Sequence, residues 1–238
     1  IEVMNSEAKT GKPFFNHWMT VSNHRPFTYP NNKIDIPGDA KSRDGGVKYT
    51  DYALNKFFKM AQKQPWYKNT IFVILADHCA SSAGKTELPV DKYRIPAMIY
   101  SPGGFVEAKK YTNLMSQIDV MPTVFGLLNF NYQSKFYGQD VLKPDYKPRA
   151  LIATYQDLGL IKDNVFRDQL SIGAKQQIRK FSSRESAIQT IHPKVAADFQ
   201  IYYEQVPLSK ERTDLVNQTI GYYQTASDIL KKKKYQKQ

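Results

Sequence analysis

Two adjacent residues with metal-ligating side chains, Asp77 and His78, directly follow the apolar run 70–76. A carboxylate oxygen next to an imidazole nitrogen suits a divalent ion such as zinc or manganese. Successive side chains on a strand point to opposite faces, but both can converge on one ion where the backbone turns beyond the strand end. The pair also fits a structural role, in which Asp77 caps a helix and His78 bonds to the backbone. The two residues alone leave both interpretations open.

A second candidate position is His24, in the polar stretch 22–26. If the fold brings this loop to the same end of the sheet, the imidazole can protonate a leaving group or stabilise its charge. The neighbouring Arg25 can neutralise a phosphate or sulfate through two parallel hydrogen bonds. A loop histidine bonded to backbone and a solvated arginine are the alternative interpretations of the same residues.

Three other features carry no chemistry in our interpretation. The tripeptide Gly84-Lys85-Thr86 resembles the end of a phosphate-binding loop. The first glycine of that pattern would fall at position 79, which is Cys79, and the residues between supply no glycine-rich cradle. Cys79 has no nearby base in the sequence, so a packed thiol is the better interpretation. His17 and His192 have no companions and are assigned structural roles.

The elements that must position these residues follow an α/β pattern. The runs 70–76 and 95–100 predict strands, the first buried on both faces of a parallel sheet. Helical spacing predicts helices over 47–61 and 113–129, and the aromatic stretch 11–20 predicts a further strand. The carboxyl ends of strands in open α/β sheets are where ligands bind. Asp77 and His78 occupy such an end.

The pattern changes after Pro144 and Pro148. Residues 150–181 predict several short strands with turns at Gly159, at 163–164 and at Gly173. From residue 193 onward two helices are predicted, the last with Val216, Ile220, Tyr223, Ala226 and Leu230 as its buried stripe. We therefore expect two parts: residues 1–145 as the α/β part, and residues 146–238 as a smaller subdomain with an antiparallel sheet and C-terminal helices.

Bulk properties limit the function classes. A chain of 238 residues with 41% hydrophobic and 13% aromatic content can bury a core, and it has no run of about 18 apolar residues. The net charge of +12 suits anionic partners but does not choose among them. Nucleic acid is not expected, since no recognition motif is present and most aromatic residues fall at core positions. The lysines 231–234 are interpreted as a solvated tail, with a contact to a membrane surface as the alternative.

Four ordered blocks resemble the lipoteichoic-acid-synthase-like sulfatases of the alkaline phosphatase superfamily. After Phe14 and Phe15 they read TVSNHRPF (20–27), NTIFVILADH (69–78), YRIPAMIYSPG (93–103) and QIDVMPT (117–123). The similarity covers residues 11–143 well and weakly includes the stretch from residue 150. It implies an α/β fold with an alkaline-phosphatase-like sheet flanked by helices, only partly contained in this chain.

The resemblance also implies roles for the candidate residues. Asp77 and His78 become two ligands of one divalent metal (Mn, Mg, Zn or Ca), and His24 contacts the anionic group of the substrate. In such enzymes a threonine, or a modified serine or cysteine, attacks phosphorus or sulfur. That nucleophile and a further acidic metal ligand match nothing in this chain. We therefore expect a fragment of a longer catalytic domain that is inactive alone.

Two functions from different classes remain open at this point. The first is a phosphoglycerol transferase or sulfatase-like enzyme that acts on a phosphodiester or sulfate ester, with a phospholipid head group as one possible substrate. We expect its parent to be held in the cell membrane by a segment N-terminal to this chain, with the catalytic domain facing the periplasm or exterior. The second is a non-catalytic module of the same fold that binds an anionic glycopolymer or membrane surface through its charge.

Overall fold

A computed structural model describes residues 1–81, 89–153, 157–162, 165–170, 177–184, 202–207 and 213–232. The chain divides into two compact units, residues 1–74 with 98–107 and residues 75–97 with 108–238. The predicted boundary near residue 145 stays a prediction. The predicted features at residues 84–86, 163–164, 173 and 192 lie outside the described residues.

The first unit is built around two helices, α1 (Glu2–Ala8) and α2 (Arg43–Ala61). The side chain of Ser42 caps α2 by accepting a hydrogen bond of 3.0 Å from the Gly45 amide. The predicted helix over 47–61 is thus confirmed, with one more turn at its start. A short 3₁₀ turn at Gly38–Ala40 precedes α2, and another at Tyr67–Asn69 follows it.

The apolar run forms strand β1 (Phe72–Leu75), whose hydrogen-bonded neighbour is β2 (Ala97–Tyr100). Phe72 packs in a cluster with Met4, Ala61, Trp66 and Tyr67. The next residue, Val73, is 37% exposed, because adjacent strand residues point to opposite faces. The expectation that this strand is buried on both faces is therefore wrong for the described structure.

The predicted strand over residues 11–20 is also wrong, since that stretch forms no regular element. Two of its aromatic residues contact rings elsewhere in the first unit, whereas Phe15 is 74% exposed. Phe14 lies edge-on to Trp66 at 6.3 Å, and Trp18 lies edge-on to Phe57 at 5.7 Å. Side-chain packing, not backbone pairing, holds this segment.

The second unit contains α3 (Val120–Leu127), which is preceded by a 3₁₀ turn at Gln117–Asp119. The helix predicted over 113–129 is therefore much shorter, because Ser116 and Asp119 form a reciprocal capping box that fixes the start. Leu114 packs instead against a buried cluster of Ala150, Ile152 and Ile161. Another 3₁₀ turn lies at Val90–Tyr93.

A five-stranded antiparallel sheet confirms the predicted small sheet. Its strands are adjacent in chain order: β3 (Ala150–Ala153), β4 (Asp157–Lys162), β5 (Val165–Leu170), β6 (Gln177–Arg184) and β7 (Tyr202–Pro207). Registers such as Ile152 opposite Gly159 show that Gly159 lies within a strand, so the turn predicted there is wrong. The first of the two predicted C-terminal helices is also wrong over 202–207, because β7 pairs with β6 there.

The last helix, α4 (Thr213–Lys231), is confirmed, but its buried stripe differs from the predicted one. Leu215 and Thr219 are fully buried, and the ring of Tyr222 contacts that of Tyr137 at 6.2 Å. Tyr223 and Leu230, both predicted to be buried, are 62% and 65% exposed. Among the helices that the structure describes, none is long and apolar enough to span a bilayer.

Candidate active site

Asp77 and His78 lie just beyond the carboxyl end of β1, in the second unit, and both side chains are exposed. The Asp77 Oδ1 atom accepts a hydrogen bond of 3.0 Å from the His78 amide. No helix begins at Asp77 within residues 78–81, so a helix-capping role is not supported there. The Asp77 Oδ2 atom faces the His78 ring, 3.6 Å from Nε2.

The backbone sets the tautomer of His78. Its Nδ1 atom lies 2.7 Å from the carbonyl oxygen of Cys79, and a carbonyl oxygen can only accept. Nδ1 therefore carries a proton and donates it, which leaves Nε2 of the neutral ring with a free lone pair. Metal-bound histidines use this arrangement, with one ring nitrogen bonded to protein and the other turned to the ion.

The donor set fits part of a divalent metal site. Two ligands of one tetrahedral ion at about 2.0–2.1 Å stand about 3.4 Å apart, close to the 3.6 Å between Asp77 Oδ2 and His78 Nε2. Among the described residues there is no group of three or more His, Cys, Asp or Glu side chains that could hold an ion. The pair therefore supplies two ligands and not a complete shell.

His24 and Arg25 lie in a tight turn of the first unit, and both are exposed. The His24 amide donates to the Val21 carbonyl at 3.0 Å, and the Phe27 amide donates to the His24 carbonyl at 2.7 Å. The Nδ1 atom of His24 lies 2.7 Å from the Arg25 carbonyl, so this ring also has Nδ1 protonated and Nε2 free.

Helix α2 supports that turn through a glycine. A Cβ atom added at Gly46 would lie 2.8 Å from the carbonyl oxygen of Ser22 and 3.1 Å from the Phe27 ring. Only glycine lets the helix and the His24 turn approach this closely. The Arg43 guanidinium lies over the Phe27 ring at 5.7 Å, a cation–π contact that covers the same turn.

The structure thus brings Asp77 and His78 together, and it places His24 beside Arg25 in the other unit. Cys79 is half-buried and His17 is exposed, so neither gains a chemical role. Sequence reasoning missed a buried network in the second unit, in which the Asp119 carboxylate is paired with Arg149. The capping-box spacing of Ser116 and Asp119 was the available signal for it.

A comparison with solved structures defines the class of protein. The fold matches the crystal structure of a protein in the alkaline phosphatase superfamily from Vibrio parahaemolyticus, with a TM-score of 0.80 and 26% identity. The match covers 100% of this chain and 54% of that chain. The predicted fold class, an α/β alkaline-phosphatase-like sheet flanked by helices, is confirmed.

The family follows from the sequence. The Sulfatase family model matches residues 1–130, more than half of the chain, and the chain belongs to that family. It is 28% identical over 163 residues to the lipoteichoic acid synthase-like protein YvgJ of Bacillus subtilis. It is 25% identical over 240 residues to the lipoteichoic acid synthase of Staphylococcus aureus, covering 89% of this chain. The resemblance to lipoteichoic-acid-synthase-like sulfatases is confirmed.

The chain spans only part of these relatives. The matched region is 26% of the Bacillus protein and 33% of the Staphylococcus protein.

Proposed function

We propose that the full-length protein is a metal-dependent enzyme that transfers or hydrolyses a phosphodiester or sulfate ester outside the cytoplasm. The observation that carries this proposal is the position of two candidate ligand atoms at a strand end of a Sulfatase-family fold. The unprotonated Nε2 atom of His78 lies 3.6 Å from Asp77 Oδ2. Asp77 and His78 would hold the divalent ion, which when bound would act as a Lewis acid on an ester oxygen.

His24 is the proposed contact for the anionic group of the substrate. Its Nδ1 atom is engaged by the Arg25 carbonyl, so Nε2 alone is available to a substrate oxygen. The neutral ring can accept a proton at Nε2, and the imidazolium can donate one to a phosphate or sulfate oxygen. Arg25, exposed on the same turn, can add a second positive charge for the same group.

The proposed substrate class is a phosphoglycerol unit taken from a phospholipid, since the similar protein from Staphylococcus is named a lipoteichoic acid synthase and the one from Bacillus is named lipoteichoic acid synthase-like. The net charge of +12 agrees with an anionic lipid or glycopolymer partner. We also propose a membrane-held parent and a nucleophile outside this chain. The isolated 238 residues are then expected to bind metal weakly and to show negligible turnover.

The test measures metal content and hydrolysis of a chromogenic phosphodiester, phosphomonoester and sulfate ester by the full-length protein. Asp77→Ala is expected to lose both metal and activity, because it removes a ligand. His24→Ala is expected to keep its metal and to lose rate by roughly 10²- to 10⁴-fold, the usual contribution of a general acid or base. Asp51→Ala, at an exposed position of α2, serves as the matched control and keeps both.

Two results would contradict the proposal. Wild-type protein without bound metal and without hydrolysis of any ester would favour the second candidate, a non-catalytic module that binds anionic surfaces. Full activity of Asp77→Ala would remove this residue from the site and with it the proposed metal position.

A further inference from the structure

The exposed side chain of Gln117 reaches back to the backbone of the proposed metal-ligand loop. Its Nε2 atom donates to the carbonyl oxygen of Asp77 at 2.8 Å and to that of Ala76 at 3.3 Å. We propose that Gln117 is a positioning residue that fixes the direction of the Asp77 and His78 side chains for the ion. This inference rests on the proposed function, since it adds a residue to the same site.

The chemistry of the contact fixes the orientation of the amide. Both partners are carbonyl oxygens, which only accept, so the NH₂ group of Gln117 must face them. An amide nitrogen carries two N–H bonds, one for each carbonyl. The Gln117 side chain therefore uses its full donor capacity on this loop.

The two carbonyls belong to the peptide groups on either side of the Asp77 Cα atom. Holding both peptide planes restrains the φ and ψ angles of Asp77, and these angles set where its Cβ atom points. The amide of His78 lies in the second plane and donates to Asp77 Oδ1 at 3.0 Å. The Ala76 amide donates to the Pro96 carbonyl at 3.3 Å. The loop is thus held at its start and on both sides of its first ligand.

Gln117 itself stands on a rigid base. It lies in the 3₁₀ turn Gln117–Asp119, where the Ser116 amide donates to Asp119 Oδ2 at 2.9 Å. Asp119 is fully buried and accepts two hydrogen bonds from Arg149, at 3.0 and 2.9 Å. A side chain anchored to a buried ion pair can transmit that rigidity to the exposed loop that it touches.

The matched variants are Gln117→Met, which keeps the length and removes both donors, and Gln117→Glu, which places acceptors against the two carbonyls. Gln62→Met, at an exposed position after α2, is the control. The first measurement is hydrogen exchange of the Ala76 and His78 amides, which donate to the Pro96 carbonyl and to Asp77 Oδ1, in metal-free full-length protein. Exchange in both Gln117 variants is expected to be about five- to tenfold faster at these amides, because losing the two Gln117 contacts lowers the free energy of local opening, and to be unchanged in the control.

The second measurement is Mn²⁺ affinity by calorimetry, where the Gln117 variants are expected to show a Kd raised about tenfold, as for other lost partners of metal ligands. Unchanged exchange in both Gln117 variants would overturn the positioning role whatever the metal result. Faster exchange with wild-type Mn²⁺ affinity would show that the contact does not serve the ion, and would also overturn it. If wild-type protein binds no Mn²⁺, the proposed function fails, and the inference about the ion fails with it even where exchange is faster.

Discussion

At the scale of single residues, Asp119 and Arg149 form an ion pair in which both side chains are almost completely buried, with exposed fractions of 0% and 4%. The carboxylate also accepts from the Gln139 amide at 2.8 Å, and Arg149 donates to the Tyr137 carbonyl at 2.8 Å. These hydrogen bonds offset the cost of burying two charges, although the buried Nε atom of Arg149 has no hydrogen-bond partner among the described residues. The pair therefore fixes the chain around the start of α3 to the residue that precedes β3.

Removing one charge of this pair should be costly. Asp119→Asn leaves Arg149 buried beside an amide that cannot neutralise it, and the expected loss is about 3–5 kcal/mol of unfolding free energy. Urea denaturation followed by circular dichroism measures the change. Asp51→Asn, at an exposed position of α2, is the control and is expected to stay near the wild-type midpoint. A loss for Asp119→Asn no larger than that of the control would contradict this account of the pair.

At the scale of elements, the space around two helical glycines predicts opposite effects of their replacement by alanine. Gly46 in α2 packs closely against the His24 turn, whereas Gly221 in α4 does not. Gly46→Ala puts a methyl group 2.8 Å from the Ser22 carbonyl, so the turn must shift and stability should fall. Gly221→Ala in α4 meets nothing within 4 Å and should gain about 0.5–1 kcal/mol from helix propensity. Thermal unfolding of the two variants compares them directly. A stabilised Gly46→Ala would show that the turn does not depend on this contact.

Elements that the sequence predicted well are those whose signal is local. Helix α2 has helical spacing over four turns and a serine at its start, and β1 is a short run of apolar residues before a polar pair. The candidate residues Asp77 and His78 could be found for the same reason. Their metal role, like those of His24 and Arg25, remains a prediction.

The predictions that were wrong concern segments whose structure depends on partners distant in sequence. Residues 11–20 have strand-like composition, but Trp66 and Phe57 take up the aromatic rings. The segment 202–207 forms a strand because β6 offers a register for it, which no local pattern reveals. The donors of Gln117 were missed because hydrogen bonds across 40 residues leave no spacing signal.

At the scale of the whole molecule, Tyr146 predicts how stability changes at alkaline pH. Burial raises the pKa of Tyr146 above its ordinary 10.0, and the nearby Asp119 carboxylate raises it further. The folded protein thus holds this proton more tightly than the unfolded chain. The resulting stabilisation is complete below pH 10 and is lost as the pH rises above 10.

Unfolding free energies measured between pH 8 and 11 are expected to fall more steeply above pH 10 in wild-type protein than in Tyr146→Phe. Below pH 9 the two slopes should be parallel. Tyr132→Phe, which changes an exposed tyrosine, is expected to follow the wild-type slope throughout. Identical slopes for wild type and Tyr146→Phe above pH 10 would contradict the assigned role of this phenol.

The tautomers of His24 and His78 have a consequence for variation of the sequence. Each ring is oriented by a main-chain carbonyl, of Arg25 or Cys79, and not by a side chain. Every amino acid, proline included, carries that carbonyl, so no amino-acid substitution at position 25 or 79 removes the oxygen that accepts the hydrogen bond. The side chains at these two positions therefore do not set either tautomer, and each imidazole continues to present the same nitrogen as long as the local backbone path is kept.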